Sequence, residues 1–310
     1  MTQAGATFSV IIPTYQRAAS LVGCLEALAR ASTAREEYEV IVVDDGGSAA
    51  LEDTVAPFRE RMAVRLLRQA NAGPAAARNT GAAQARGRFL AFTDDDCIPA
   101  ADWLDALGGP LRAVPHRLVG GRVRNALTTN PYSSASQTII DLVYAYYNAN
   151  PLRARFFASN NMALPAEPFR ALGGFSPSFR TSEDRDLCDR WLGAGYPLAY
   201  APDAVVDHAH ELTLRAFWRQ HLGYGRGAFR FYRAHAQRSA ADSTLGSGFY
   251  VAMLRRLPGM LRGLPVGRAM VLAGLLGMWQ VANLVGFASE AAGAGIATLT
   301  LRRRMRHASR

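Results

Sequence analysis

Residues 87–99 read GRFLAFTDDDCIP. The run from Gly87 to Phe92 reads as a short buried strand, because aromatic and aliphatic side chains follow one another from Phe89 to Phe92. Three carboxylates, Asp94, Asp95 and Asp96, follow directly after Thr93. Adjacent acids repel one another unless a cation sits among them, and hard oxygen ligands suit Mg²⁺ or Mn²⁺. In an open α/β sheet, ligands gather where strands end. The stretch therefore reads as a candidate metal and phosphate site. The plainer alternative is a solvated acidic turn, or an N-cap ahead of a helix beginning near Trp103.

Outward from this strand the chain alternates strands and helices. Phe8–Ile12 and Glu39–Val43 read as buried strands, the second ending at Asp44-Asp45-Gly46-Gly47. Ala63–Leu67 and Arg88–Phe92 read as the third and fourth. Helices are expected over Ser20–Ala31, Leu51–Arg61 and Pro74–Ala85, with Pro74 in a first turn that tolerates it. This rhythm predicts right-handed parallel βαβ units in a Rossmann-like, mostly parallel α/β sheet. Past Asp96 the expectations are a helix over Trp103–Ala113, a strand over Leu118–Val123, a helix or lid over Tyr132–Asn150 and a strand over Phe156–Ala163. A tight turn is expected at Gly173-Gly174-Phe175, a helix over Ser182–Leu192, short strands at Tyr196–Tyr200 and Ala204–Val206, and a long basic-aromatic helix over Leu214–Arg233.

The chain has 310 residues and is 49% hydrophobic, enough to bury a large core. Its net charge is +10, and with no lysine present all 35 basic residues are Arg. Residues 251–310 hold nine Arg and one acid (Glu290), a net of +8, so the preceding part is near neutral. That distribution argues against a nucleic-acid-binding core and for a basic tail facing an anionic surface. Cys24, Cys97 and Cys188 match no zinc or redox spacing and read as reduced, partly buried thiols. The opening MTQAGATFSVIIP has no basic region followed by a long apolar run, so no signal peptide is expected.

Within the tail, Ala269–Ser289 (AMVLAGLLGMWQVANLVGFAS) carries no charge. It has about the length of one transmembrane helix, roughly 20 residues. Gln280, Asn283 and its glycines fit an in-plane or re-entrant helix as well, and a buried helix is the plainer alternative. Arg268 before it and Arg302–Arg304 after it are placed to meet lipid phosphates. The expected organisation is a catalytic domain over 1–238 and a helical, membrane-associated region over 239–310, peripheral or with one apolar helix, at the cytoplasmic face of a bacterial inner membrane.

Four motifs occur in one order: SVIIPTYQR, VIVVDDGG, NAGPAAARNTGAAQARGRFLAFTDDD, and GGFSPSF followed by SEDRDLCDRWLGAGYPLAYAPDAVVDH. Over roughly residues 7–210 they resemble the family 2 glycosyltransferases, of GT-A fold. The resemblance implies inverting transfer of a sugar from a nucleotide diphosphate sugar to an acceptor hydroxyl. It places Pro13, Thr14 and Tyr15 at the nucleobase, Arg17 near a phosphate, Asp44 and Asp45 at the base and ribose, and Arg78 and Asn79 along the nucleotide. Asp94 and Asp96 match the family's Asp-x-Asp, which holds the metal against the donor diphosphate, with Asp95 toward ribose or sugar. Some members of the family use a histidine here as a further metal ligand, and of His208 and His210 the resemblance points to His208, which follows the strand most closely. Asp184 of the Glu183-Asp184 pair is the general base, since inversion needs one base behind the sugar. Asn160, Asn161, Gly173, Gly174 and Phe175 resemble the sugar and acceptor loop.

No Gln-x-x-Arg-Trp box follows, which favours single-sugar transfer over polymerisation. The acceptor is expected to be a lipid-linked or other envelope saccharide. Two alternatives remain open: a nucleotidyltransferase, disfavoured by the absence of glycine in IIPTYQR, and a non-catalytic nucleotide-sugar-binding membrane protein. No nucleic-acid partner is expected.

Overall fold

In the computed structural model, which describes residues 7–47, 51–238 and 247–308, strand formation follows the apolar runs. The elements in order are β1 (Phe8–Thr14), α1 (Ala18–Leu28), β2 (Tyr38–Asp45), α2 (Leu51–Val55), β3 (Val64–Gln69), α3 (Pro74–Gln84), β4 (Phe89–Phe92), β5 (Cys97–Pro99) and α4 (Trp103–Ala113). They continue as β6 (Leu118–Asn125), α5 (Pro131–Tyr147), β7 (Met162–Pro165), α6 (Ala166–Ala171), α7 (Glu183–Gly193), β8 (Leu198–His208), α8 (Leu214–Arg238), α9 (Ser247–Leu261) and α10 (Val266–Ala308).

The strands form one sheet in the order β3-β2-β1-β4-β7-β6-β8-β5. The first four pair in parallel, as the alternation predicts. Beyond β4 the sheet becomes mixed: β7 is antiparallel to both β4 and β6, β6 and β8 are parallel, and β5 is antiparallel to β8. Side chains alternate between two cores. Val10 and Ile12 face Leu21, Leu25, Trp103 and Leu107, while Ile11 faces the side that holds Phe92, Phe169, Phe175 and Trp191. Gly81 lets α3 lie close on β1, because a Cβ there would stand 2.6 Å from Ile11 Cγ2.

Three expectations are corrected. The helix from Leu51 ends at Val55 and passes into a 3₁₀ turn over Ala56–Phe58, where Pro57 offers no backbone donor. Phe156–Asn161 is no strand; β7 begins only at Met162. Its apolar character serves a plug instead: Phe157 is fully buried against Tyr144 and Tyr200, and its ring fills the space a Cβ on Gly120 would need. The two short strands near 196–206 are one long strand, β8, whose pairing with β6 is interrupted by an irregularity at Gly121/Arg122. The segment starting near Tyr132 resolves as helix α5, capped by the Asn130 side chain, which accepts from the Tyr132 and Ser133 amides.

The chain divides into two units, Met1–Glu211 and Leu212–Arg310. The long basic helix α8 therefore groups with the C-terminal segment, and the boundary falls ahead of it instead of after residue 238. The reason lies in α8 itself, whose buried residues (Phe217, His221, Gly225, Phe231) form one face that α10 covers.

Candidate active site

The acids after β4 are balanced by side chains from elsewhere in the unit. Arg17, beyond β1, donates from Nη1 to Asp95 Oδ1 (3.3 Å) and Asp96 Oδ2 (2.8 Å). Thr14 Oγ1 donates to Asp95 Oδ2 at 2.7 Å. His208 Nε2 lies 3.2 Å from Asp96 Oδ1. Sheet register explains that last contact: Cys97 of β5 stands opposite His208, the final residue of β8. The imidazole of His210 stacks on that of His208, with centroids 4.9 Å apart.

Arg78 on α3 joins this acidic turn to a second one. Its Nη2 donates to Asp94 Oδ1 at 2.6 Å and its Nη1 to Glu183 Oε1 at 3.0 Å. The guanidinium is buried, lies over the Phe175 ring, and leaves its Nε without a hydrogen-bond partner. Glu183 and Asp184 open α7. The residue before them, Ser182, has φ +69°, a left-handed conformation that a non-glycine residue rarely adopts. Ser182 provides no side-chain cap; Asp184 Oδ1 instead accepts from the Arg185 amide at 2.7 Å.

The two acidic groups differ in proton affinity. Burial works against Asp96, but His208 and Arg17 hold it well below the usual carboxylate range, and Asp96 raises His208 in return against that imidazole's own burial. Burial pushes Asp95 up to about 6 despite Thr14 and Arg17. Burial and the charge of His208 lower His210 to about 4. At α7 burial raises both carboxyls, and for Glu183 the neighbouring Asp184 adds to it while Arg78 opposes. Asp184 keeps part of its surface open even though protein surrounds it closely.

Several residues that the sequence placed on substrate have their polar atoms committed inside the protein. Asn79 accepts from the Phe175 amide (2.9 Å) and donates to its carbonyl (2.7 Å), so it ties α3 to the turn at Gly173 and Gly174. Phe175 is fully buried, and Gly174 (φ +66°) sits where a Cβ would stand 2.6 Å from Asn79 Oδ1. Asn161 is fully buried; it accepts from Trp103 Nε1 and donates to the carbonyls of Arg122 and Ala204. Asn160 is also buried. Asp45 accepts from Gln69 Nε2 and from the amides of Ala72 and Gly73, which fixes the loop leading into α3. Through these contacts Asn79, Phe175, Asn161 and Asp45 brace the site from within the protein. Asp44 is buried at the end of β2, accepts from the Gly47 amide at 2.8 Å and has Arg68 Nε 3.6 Å away. Pro13 lies within β1, while Tyr15 stands 46% exposed just beyond it, open to a flat ligand.

Sequence reading passed over two features. Cys97 joins Asp96 and His208 in a group whose candidate ligand atoms lie within 4.8 Å of one another. Burial and the neighbouring aspartates push its thiol well upward, so it stays protonated and leaves Asp96 and His208 as the better donors. Adjacency to the three aspartates was the signal available. The second is a cavity of about 630 Å³ beside β6 and α5, lined among others by Arg122, Asn125, Gln137, Asp141, Tyr144 and Tyr200. It lies next to both acidic groups: Asn125 stands opposite His208 in the sheet, and Tyr144 is close enough to Asp184 for that charge to raise its phenol.

Acids at the end of β4, acids at the start of α7, a buried arginine between them and an open cavity alongside mark a ligand site of the kind found where the strands of an α/β sheet end. The Glycosyl transferase family 2 profile matches residues 9–173, more than half of the chain, and the profile of Glycosyl transferase family group 2 matches residues 116–288. The chain belongs to glycosyl transferase family 2. It is 31% identical over 239 residues to the pre-mycofactocin glycosyltransferase of Mycobacterium tuberculosis, covering 75% of this chain and 49% of that protein. It is 28% identical over 242 residues to the validoxylamine A glucosyltransferase of Streptomyces hygroscopicus, covering 67% and 57%. The chain thus spans about half the length of the first of these relatives. Among solved structures, a mannosyltransferase from Pyrobaculum calidifontis in complex with GDP-Man and Mn²⁺ superposes with a TM-score of 0.68 at 20% identity, over 93% of this chain and 87% of that one. The likeness establishes the GT-A fold.

Proposed function

We propose that the unit Met1–Glu211 transfers a sugar from a nucleotide diphosphate sugar to an acceptor hydroxyl with inversion. The observation that carries this reading is Arg78, which holds Asp94 of the strand-end acids and Glu183 of the helix-start acids at 2.6 and 3.0 Å. One rigid group thereby sets the distance between a diphosphate end and a base end.

Asp184 is the base that takes the acceptor's proton. It combines a raised proton affinity, which favours proton capture, with an open surface. Glu183, paired with Arg78, orients it. Thr14, Tyr15 and Asp44 border the nucleoside, and Arg17, half-exposed at 51%, is free to swing from Asp95 and Asp96 to a phosphate. The cavity beside Tyr144 and Tyr200 receives the acceptor, with aromatic faces for a sugar ring and Gln137, Asn125 and Asp141 for its hydroxyls.

The donor set fits a divalent ion. Asp96 is held ionised and His208 offers a ring nitrogen beside it, while Asp94, two residues before Asp96, is bound by Arg78 and would have to turn toward the ion. Mg²⁺ or Mn²⁺ held by Asp94, Asp96 and His208 would stabilise the charge building on the departing diphosphate. The mannosyltransferase neighbour was solved with Mn²⁺, which supports this assignment. With a basic, apolar C-terminal unit, the acceptor is a lipid-linked or envelope saccharide at the cytoplasmic face of a bacterial membrane.

A melting panel of nucleoside diphosphates and their sugars, each with and without Mn²⁺, tests the reading. A ligand that binds only the folded state raises its melting temperature. At least one diphosphate should do so in an Mn²⁺-dependent manner; a flat response to every nucleotide would contradict donor binding.

A further inference from the structure

The unit Leu212–Arg310 carries a surface that the transfer reaction does not use. Helices α8 and α10 touch backbone to backbone: a Cβ on Gly225 would stand 2.1 Å from the Asn283 carbonyl oxygen, and one on Gly286 2.1 Å from that of Leu222. Arg230 Nε donates to Glu290 Oε1 at 2.8 Å and Arg226 Nε to Ser289 Oγ at 3.3 Å. These partners are 60 and 63 positions apart, and so nearly constant an offset means that the two helices run side by side in the same direction.

One face of α10 (Leu275, Leu276, Trp279, Ala282) is buried. The opposite face is open. Met270, Gly274, Gly277, Val281, Leu284 and Ala288 follow one another at alternating steps of four and three, so they share one side of the helix. Met270 and Leu284 are 66% and 69% exposed, and no charge occurs from Ala269 to Ser289. Residues Val266–Gly295 are long and apolar enough to cross a membrane, with 28% of their most apolar window buried.

We propose that α10 lies in the plane of an anionic membrane, with this face inserted into one leaflet and the arginines of α8 at the lipid phosphates. Length alone would also permit a span. The neighbouring helix decides against it, because α8 carries six Arg and no acid. Arg219, exposed, runs alongside the middle of the uncharged stretch, and Arg226, also exposed, lies near its end at Ser289. In a spanning arrangement Arg219 would sit deep in hydrocarbon and weaken insertion on the order of a hundredfold, with Arg226 adding to that cost. At the surface of an anionic leaflet each instead strengthens binding about fivefold. The same cationic flank disfavours a second copy of this chain as the occupant, since it would bring like charges together. The inference builds on the membrane-surface location proposed above, and its test uses neither donor nor acceptor, so its failure would leave the transferase reading standing.

The full chain is mixed with phosphatidylcholine vesicles with or without phosphatidylglycerol. Three single-cysteine variants, Met270→Cys, Val281→Cys and Ala288→Cys, carry an environment-sensitive label whose depth is read by lipid-borne quenchers; the native cysteines are buried and stay unlabelled. The expected result is stronger binding to the anionic vesicles and one shallow depth for all three labels, about 5–10 Å below the surface. Leu284→Asp should weaken vesicle binding about tenfold or more with an unchanged melting temperature. A label at Val281 far deeper than the other two would overturn the proposal in favour of a span. Absent vesicle binding, together with a dimer in sedimentation velocity that Leu284→Asp dissociates, would overturn it in favour of self-association.

Discussion

Asp96 after β4 and the acids at the start of α7 are the same kind of residue under opposite electrostatic regimes. Asp94–Asp96 meet two guanidiniums and an imidazole, and Asp96 is held ionised. Glu183 and Asp184 share only Arg78, from one side, and burial keeps both holding protons more tightly than usual. The contrast teaches how one chain assigns two jobs to carboxylates. Where cations converge on a carboxylate it is held ionised, and where burial dominates it holds its proton more tightly. Arg78 touches both groups, so the difference comes from His208 and Arg17 at Asp96 and from burial at Glu183 and Asp184.

Breaking the comparison means removing Arg78. Arg78→Ala leaves Asp94 and the buried Glu183 without their shared cation, and a broken buried pair costs about 3–5 kcal/mol. The expected outcome is a large fall in the urea midpoint together with loss of transfer. Arg78→Lys should recover part of the stability only, because one ammonium nitrogen cannot stand at both positions that Nη1 and Nη2 occupy beside Glu183 and Asp94.

At the strand-end group, Asp96→Ala should abolish turnover and the Mn²⁺-dependent rise in melting temperature while the unliganded protein stays folded. Full transfer in excess chelator would remove the metal from the account.

At the helix-start group, pH separates chemistry from stability. The base must be unprotonated, so kcat should climb with pH as Asp184, raised by burial above the usual carboxylate range, loses its proton. Stability should move the other way. Below about pH 4, near the ordinary carboxyl values, the pair is protonated whether folded or unfolded. Between there and about 7 the unfolded chain gives up protons that the folded chain keeps, so stability falls as pH rises. Glu183→Gln should flatten that fall, as measured by urea unfolding at several pH values.

The smallest effect is expected at Asn79. Asn79→Ala removes both bonds to the Phe175 backbone and should cost about 1–3 kcal/mol of stability with donor KM unchanged. A raised donor KM at constant stability would return Asn79 to the nucleotide.

Much of this architecture was legible in the sequence, and the parts that were not share a cause. β1 and β2 are built on the apolar runs Val10–Ile12 and Val40–Val43, β4 is apolar throughout and α3 begins at Pro74 after Gly73, so local pattern specifies them. The antiparallel placement of β7 and the β5–β8 pairing depend on which distant strand completes an edge, which no local window records. That pairing is what brings His208 to Asp96. The site residues were readable as types at strand ends, but their partners were not: Arg78 reaches Glu183 across 105 positions. Asn79, Asn161 and Asp45 show a complementary ambiguity. Polar residues near a site look like substrate ligands, yet buried backbone groups need partners too, and these three supply them.

Asp184→Asn offers the most direct test that the two acidic groups divide the labour. Donor affinity is measured by titrating the variant with the donor and Mn²⁺, and the chemical step by single-turnover transfer. The account predicts unchanged donor affinity and a chemical step slowed by about 10²–10⁴, the usual contribution of a positioned base. A variant that transfers at the unaltered rate, or that loses donor binding in step with turnover, would contradict it.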